Sequence, residues 1–204
     1  QTILFIMIAL VLMAFRAGIS RNKYLSPEDV MYACEKGLHY GPSEKVLKTV
    51  IQGKNALVIG KCDEGLSSVR ATKGLLFWNL GYDGSGTAVE GLCSTDTIDA
   101  WYDEKFNLVY GISMIDGVKS VTVIMGEGET EFFGLKMDVD KDGFFYGTPE
   151  NYKYKEDEWP YALYISGSDK DGNLLYESGL EGEEIFDSDG SLIYSSFRET
   201  TGAE

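Results

Sequence analysis

The sequence is poor in the residues on which most catalytic and metal centres depend. Its 204 residues include one histidine, His39, and three cysteines. A single histidine excludes a His-rich metal site, and no Asp or Ser is placed by sequence to make His39 the base of a catalytic triad. We therefore expect His39 to be an exposed loop residue just after a helix.

Phosphate-binding and nucleophile motifs are also absent. There is no G-x-S-x-G, and Gly60-Lys61 is followed by Cys62 where a phosphate-binding loop needs Ser or Thr. Gly126-Glu127-Gly128 begins a G-x-G-x-x-G pattern, but Glu131 stands in place of the third glycine and would repel phosphate. The sequence therefore favours a protein that is not an enzyme, and an enzyme of unknown reaction is the third alternative.

The three cysteines, Cys34, Cys62 and Cys93, show no C-x-x-C spacing. Cys62 and Cys93 lie near the ends of predicted strands and could form a disulfide in an oxidising compartment. Three separate thiols are an equal alternative, and the sequence leaves both open.

Positive charge is scarce, with 18 basic residues against 33 acidic ones, a formal net charge of −15 and a pI near 4.4. Nucleic-acid binding requires a basic surface that releases counterions, so this class of function is excluded. The same balance argues against docking of the folded domain on anionic lipid. It fits a well-solvated domain or one that meets cations.

A long apolar run stands at the start of the chain. Residues 3–15 are all apolar, and the run extends to residues 2–19 with Arg16 as an interruption that could reach the lipid headgroups. A full span needs about 20 apolar residues, whereas 10–14 is typical of a secretion signal. Because no small-x-small cleavage site follows, we expect an uncleaved signal-anchor, with a cleaved signal peptide as the alternative.

The side of the membrane on which the domain lies is predicted less directly. Arg16, Arg21 and Lys23 follow the run, and the positive-inside rule alone would keep that side in the cytoplasm. Further positive charge before residue 1 would reverse this assignment. We expect a single-pass protein of the cell membrane with an extracytoplasmic domain.

The remaining sequence predicts an α+β fold dominated by antiparallel hairpins. Ser26-Pro27-Glu28-Asp29 has the cap, proline and acidic residues of a helix start, and a second short helix is predicted at 43–51. Period-two alternation and glycine turns predict strands at 56–61, 67–71, 75–80, 108–115, 118–125, 133–139, 144–146, 161–166, 174–177 and 191–194. We expect residues 1–25 to form the anchor and connector, 26–199 one domain with a lobe division near residue 101, and 200–204 a tail.

Several segments occur in an order that has a counterpart in known sequences. After the apolar leader come Ser26-Pro27-Glu28-Asp29, N-A-L-V-I at 55–59, Lys73 with Leu76-Phe77-Trp78, V-Y-G-I at 109–112, V-K-S-V-T-V at 118–123 and D-K-D-G-N-L-L-Y-E-S at 169–178. In this order the chain resembles small membrane-anchored proteins of Gram-positive bacteria of the Bacillus and Clostridium kind. The resemblance covers most of the chain and implies an anchored α+β domain, with no activity to transfer.

Three copies of D-x-D-G begin at Asp140, Asp169 and Asp187. Asp138 extends the first copy to D-x-D-x-D-G, the first six positions of a calcium loop, in which Asp138, Asp140 and Asp142 would be the ligands. The twelfth position is Pro149 and not the bidentate acid. The alternative is a β-hairpin whose glycine takes positive φ, so any Ca²⁺ site is expected to be weak.

Two aromatic pairs in polar surroundings, Trp101-Tyr102 and Trp159-Pro160-Tyr161, form a candidate recognition surface for sugar or peptide. Packing beneath loops is the alternative. The sequence thus predicts a non-catalytic, membrane-anchored accessory domain that contacts a partner protein or a wall polymer. A weakly calcium-binding extracellular module is the second alternative.

Overall fold

The computed structural model describes residues 2–19, 23–36, 43–62, 65–80, 88–92, 96–127, 131–149, 161–179, 184–186 and 192–195. The chain divides into two compact units, Gln1–Leu92 and Cys93–Glu204, termed the N-terminal unit and the C-terminal unit. Within the described ranges, two helices lie in the N-terminal unit and antiparallel strands make up most of both units. The predicted β-rich α+β class is confirmed.

Both helices lie at the start of the chain. The apolar run forms α1, Thr2–Ile19, and α2, Pro27–Glu35, follows a short connector. α2 begins as predicted, because the Ser26 hydroxyl accepts a hydrogen bond from the N–H of Asp29 and the Asp29 carboxylate accepts one from the N–H of Ser26. This reciprocal capping box satisfies two amides near the helix start and explains why the start was readable from sequence.

The helix predicted at 43–51 is wrong, since the chain forms the strand β1, Lys45–Gln52, there. Val46 and Val50 have the spacing of one helix face. A β-bulge between Val46 and Lys48 interrupts the period-two alternation, so this strand lacks the regular pattern from which strands are predicted. Pairing with the next strand therefore overrides the helical interpretation.

The N-terminal unit is built on one antiparallel sheet in the order β1-β2-β3-β4, with β5 paired to β3. Its further strands are β2 (Asn55–Cys62), β3 (Gly65–Lys73), β4 (Trp78–Leu80) and β5 (Ala88–Leu92). α2 covers one face of this sheet. Val30 and Met31 are fully buried there in a cluster with Ala56, Val58, Val69, Ala71 and Trp78.

A buried carboxylate fixes the end of α2 to the start of β1. Glu35, which is 1% exposed, accepts hydrogen bonds from the N–H of Ser43 at 2.7 Å and from the Ser43 hydroxyl at 2.6 Å. Gly60 of β2 makes room for this pair, since a β-carbon there would overlap Cε of Met31 and lie 2.5 Å from Oγ of Ser43. Buried carboxylates require such partners, and these two bonds link the end of α2 to the residues just before β1.

The C-terminal unit contains two larger sheets and a two-stranded one. Their orders are β10-β7-β6, β12-β11-β8-β9 and β13-β14. The strands are β6 (Ile98–Asp103), β7 (Leu108–Ser113), β8 (Ser120–Glu127), β9 (Glu131–Asp138), β10 (Phe144–Gly147), β11 (Tyr161–Ser168), β12 (Leu174–Gly179), β13 (Glu184–Phe186) and β14 (Leu192–Ser195).

The two larger sheets share one apolar core. The three-stranded sheet contributes Ile98, Val109 and Phe145, and the four-stranded sheet contributes Val121, Val123, Met125, Met137 and Ile165. Gly111 sits at the centre of β7, between Ala100 of β6 and Phe145 of β10. A β-carbon at Gly111 would overlap the carbonyl oxygen of Asp99 and the Phe145 ring, so this close approach requires glycine.

Asp-Gly pairs at 116–117, 142–143, 171–172 and 189–190 predict four turns, and the first three are confirmed. Gly117, Gly143 and Gly172 take positive φ values of 88°, 81° and 85°, which glycine adopts without steric cost. The fourth turn, Asp189-Gly190, lies outside the described residues. As the alternation predicted, the part of 108–194 that the structure describes contains no helix.

Candidate functional site

The most conspicuous surface belongs to α1. Ten of its apolar side chains are between 41% and 74% exposed: Leu4, Phe5, Ile6, Met7, Ile8, Leu10, Val11, Leu12, Met13 and Phe15. Their consecutive positions cover every side of the helix, because successive residues point about 100° apart. Among the residues that the structure describes, no helix meets the combined length and apolarity needed to cross a membrane.

The end of α1 is tied to β4 at two places. The rings of Phe15 and Phe77 lie 5.6 Å apart, centroid to centroid. Further along the connector, Tyr24 and Trp78 exchange both backbone hydrogen bonds, at 2.8 and 2.7 Å, in an isolated antiparallel bridge. The chain segment before β4 therefore lies beside the last turns of α1.

That segment is an exposed apolar hairpin tip, residues 74–77, between β3 and β4. The N–H of Gly74 donates to the carbonyl of Phe77 at 2.8 Å, which closes a two-residue loop with Leu75 and Leu76 at its tip. Leu75 is 96% exposed and Leu76 is 73% exposed. The sequence placed these two residues in a strand at 75–80, but the strand comprises only residues 78–80.

Lysine and tryptophan flank the hairpin tip. Nζ of Lys73 lies 5.6 Å from the centroid of the Trp78 ring, a cation–π distance. The N–H of Lys73 donates to the carbonyl of Lys54 at 2.7 Å, so the β1–β2 turn lies at the same end of the sheet. Ile51, near that turn, is 57% exposed.

A shallow cleft of about 310 Å³ lies between the connector and α2. It is lined by Lys23, Tyr24, Leu25, Asp29, Tyr32, Ala33 and Lys36. Burial raises the pKa of the Tyr24 hydroxyl, and the nearby Cys34 raises it further. The lining thus combines two ammonium groups, one carboxylate and two phenols beside the exposed Leu25.

Charge divides sharply between the two units. The N-terminal unit has 10 basic and 8 acidic residues, a net charge of +2, while the C-terminal unit has 8 basic and 25 acidic residues, a net charge of −17. Together they give the −15 of the chain. The acidic excess that argued against contact with anionic lipid is therefore confined to the C-terminal unit.

The first D-x-D-G motif closes the turn between β9 and β10. Oδ1 of Asp140 accepts hydrogen bonds from the N–H groups of Asp142 at 2.8 Å and Phe144 at 3.0 Å. Asp138 and Asp140 are exposed and Asp142 is half-buried. In the described residues no group of three or more His, Cys, Asp or Glu side chains is arranged to hold a metal ion. The weak calcium site stays a prediction.

The second motif repeats this geometry between β11 and β12. Oδ1 of Asp169 accepts from the N–H groups of Asp171 at 2.8 Å and Asn173 at 2.9 Å, and Oδ2 accepts from the Asn173 side chain at 2.8 Å. The Asn173 side-chain bond, followed by its backbone bond, lowers the pKa of the Asp169 carboxyl. The third motif, at Asp187, lies outside the described residues.

The predicted aromatic surface is placed only in part. Trp101 and Tyr102 are both half-buried in β6 and, as consecutive strand residues, point to opposite faces. The Tyr102 ring lies 5.9 Å from Phe133, and its hydroxyl donates to Oδ1 of Asn107 at 2.8 Å. Trp101 lies 6.3 Å from Tyr110.

The other half of that surface, Trp159 and Tyr161, is placed only at the backbone of Tyr161. Trp159 lies outside the described residues, and Tyr161 is placed only as the first backbone position of β11. The packed ring of Tyr102 and its paired hydroxyl fit the alternative of packing. Recognition by these four aromatic residues stays a prediction.

Sequence reasoning missed the hairpin tip as a surface. Gly74 followed by four apolar residues without alternation was the available signal, because a half-buried strand should alternate. Cys34 is half-buried and Cys62 is buried, and Cys93 and His39 lie outside the described residues. Whether Cys62 and Cys93 pair is left open.

Comparisons with protein-family models, with curated proteins and with solved structures found no match to this chain. The resemblance to anchored proteins of Gram-positive bacteria stays a prediction.

Proposed function

We propose that the protein is a membrane-anchored, non-catalytic binding module, with α1 inserted in lipid and the folded units held at the membrane. The observation that carries this proposal is the exposure of ten large apolar side chains on all sides of α1. An apolar patch of that extent is unfavourable in water and marks a surface that lipid or a partner covers. Lipid is the solvent that satisfies every side of one helix at once.

α1 does not meet the combined length and apolarity needed to cross a membrane, so the proposal is that its apolar surface inserts in lipid. Its 18 residues extend about 27 Å at 1.5 Å per residue, close to the roughly 30 Å hydrocarbon thickness of a bilayer. Arg16 lies one turn before the end of the helix, where a long basic side chain can reach the headgroups. The connector then leads directly into α2.

We place the two units on the extracytoplasmic side, as an accessory domain that contacts a protein or a wall polymer. The −17 charge of the C-terminal unit supports a partner that carries positive charge, because complementary fields speed encounter and suppress wrong partners. The long-range part of this electrostatic attraction would weaken as ionic strength rises.

Membrane fractionation tests the anchor. In cells that express the full chain, the protein should stay in the membrane pellet after an alkaline carbonate wash. The double variant Leu10→Asp/Val11→Asp should move to the supernatant, since each charge at mid-helix costs roughly 2.5–3.5 kcal/mol in lipid. Leu174→Asp/Leu175→Asp, at an exposed site on β12, is the matched control and should stay in the pellet. Extraction of the unaltered chain by carbonate would overturn the anchor.

Protease added to spheroplasts tests the side of the membrane. The two units should be degraded while a cytoplasmic control protein stays intact. Full protection of the units, with degradation only after lysis, would place them in the cytoplasm and refute the extracytoplasmic assignment.

A further inference from the structure

We propose that the β3–β4 hairpin tip, Leu75 and Leu76, is a second membrane contact that enters the same lipid surface as α1. This inference rests on the proposed function. It goes further because a second contact would hold the N-terminal unit against the membrane at two points and so fix the orientation of that unit.

The chemistry of the tip is the first argument. Two-residue hairpin loops are usually Asn-Gly, Asp-Gly or another polar, glycine-containing pair. This loop instead presents two leucines that are 96% and 73% exposed. Single exposed apolar residues are ordinary, but two adjacent large ones at a hairpin tip form an apolar surface that no described residue covers.

Continuity with α1 is the second argument. The Phe15–Phe77 ring contact and the Tyr24–Trp78 backbone bridge hold the tip beside the last turns of α1. Phe15 is four residues, about 6 Å along the axis, from the end of the helix. If this end of α1 lies at the boundary of the hydrocarbon, the tip lies at the same depth.

The flanking residues are the third argument. Lys73, which is exposed, stands beside the tip, and a long basic side chain can keep its charge at the boundary between lipid and water. The exposed Leu25 and Ile51, at 58% and 57%, extend the apolar surface near the connector and the β1–β2 turn.

Charge is the fourth argument. The N-terminal unit is net positive at +2, so it can approach anionic lipid without repulsion, whereas the C-terminal unit at −17 cannot. The membrane-facing surface is therefore expected on the N-terminal unit. A protein partner for the tip, including a second copy of the chain, is an outcome that the test below separates from lipid.

Site-directed spin labelling of the full chain tests the contact. The chain, with Cys34→Ser, Cys62→Ser and Cys93→Ser, is reconstituted in vesicles of phosphatidylethanolamine and phosphatidylglycerol. One label is introduced at a time, at Leu75→Cys for the tip, Leu12→Cys for α1 and Lys45→Cys for the opposite end of the sheet. Collision rates with oxygen, which concentrates in lipid, and with a water-soluble nickel chelate then report depth.

Each leucine that enters lipid favours the inserted state by about tenfold or more, so the label at residue 75 should spend most of its time in lipid. Its ratio of oxygen to nickel collisions should match residue 12 in sign and exceed residue 45 by about tenfold. Leu76→Asp in the same labelled chain should return the ratio at 75 to the level of residue 45. Leu80→Asp, on β4 and 37% exposed, is the matched control and should leave it unchanged.

The outcomes separate the two proposals. If residue 12 is in lipid and residue 75 is in water, the second contact is refuted and the anchor stands. If both are in water, the proposed function itself fails. If residue 75 is shielded from oxygen and nickel alike, a protein surface covers the tip and the lipid contact is overturned.

Discussion

The bond between Glu35 and Ser43 offers the sharpest test of what holds the N-terminal unit together. Glu35 accepts two hydrogen bonds there, at 2.7 and 2.6 Å, and is 1% exposed. Hydrogen bonds to a charged group contribute roughly 1.5–3 kcal/mol each. Glu35→Ala removes both acceptors, leaves the Ser43 N–H and hydroxyl buried without them, and should cost about 3–5 kcal/mol.

Two further variants divide that cost. Ser43→Ala removes only the hydroxyl bond and should cost about 1.5–3 kcal/mol. The double variant should cost less than the sum of the singles by at least about 1 kcal/mol, because the two residues share one interaction. Glu44→Gln, at the exposed neighbouring position, is the control and should stay within about 0.5 kcal/mol of the unaltered chain.

Amide hydrogen exchange of the full chain in detergent micelles measures these free energies in the right place. The amides of Leu57, Val58 and Ile59 lie in β2 beneath the Glu35 region, so their opening reports the N-terminal unit separately from the C-terminal unit. A coupling energy near zero, or a Glu35→Ala effect no larger than that of Glu44→Gln, would refute the stabilising role of the Glu35–Ser43 hydrogen bonds.

Three other predictions concern the C-terminal unit. Gly111→Ala should destabilise it by about 3 kcal/mol or more in urea denaturation, since the new carbon would overlap the Asp99 carbonyl. Gly172→Asn is the comparison and should cost less, because nothing lies within 4 Å and the remaining cost is the positive φ, to which asparagine is better suited than most residues. Folding lowers the pKa of Asp169, so the stabilisation from this carboxyl is complete above its unfolded pKa and is lost as pH falls through its folded pKa. In an NMR titration, Asn173→Ala should raise the pKa of Asp169, because it removes the side-chain hydrogen bond that lowers it. An unchanged pKa would contradict this cause. Micromolar calcium should leave the melting temperature unchanged, and millimolar calcium should raise it modestly at most. Any rise should vanish in Asp140→Asn, which keeps the Oδ1 that closes the turn. A large shift at micromolar calcium would overturn the hairpin interpretation.

Features encoded within a few residues were predictable from the sequence. The capping box at Ser26 and Asp29 located the start of α2, and the glycines at 117, 143 and 172 located turns. β9 was found because its apolar residues alternate cleanly. In each case the determining interaction lies inside the predicted element.

Features that depend on distant partners were not predictable. The bulge in β1 interrupts its alternation, and β6 mixes Asp99 and Asp103 with aromatic residues, so neither strand showed a simple period of two. Leu75 and Leu76 were placed in a strand because the sequence does not show which apolar residues lack a cover. The confinement of the acidic excess to one unit became visible only once the division between residues 92 and 93 was known.

The irregularity of β1 has a consequence for contacts between copies of the chain. In the part of the chain that the structure describes, β1 pairs only with β2, so within these ranges it is an edge strand. Chains held on a surface meet far more often than chains in solution, and an open edge is a template for joining sheets of neighbouring molecules. The bulge between Val46 and Lys48, with lysines at 45 and 48, twists and charges that edge. Under the proposed anchoring, the bulge and the two lysines therefore oppose the joining of sheets between neighbouring copies.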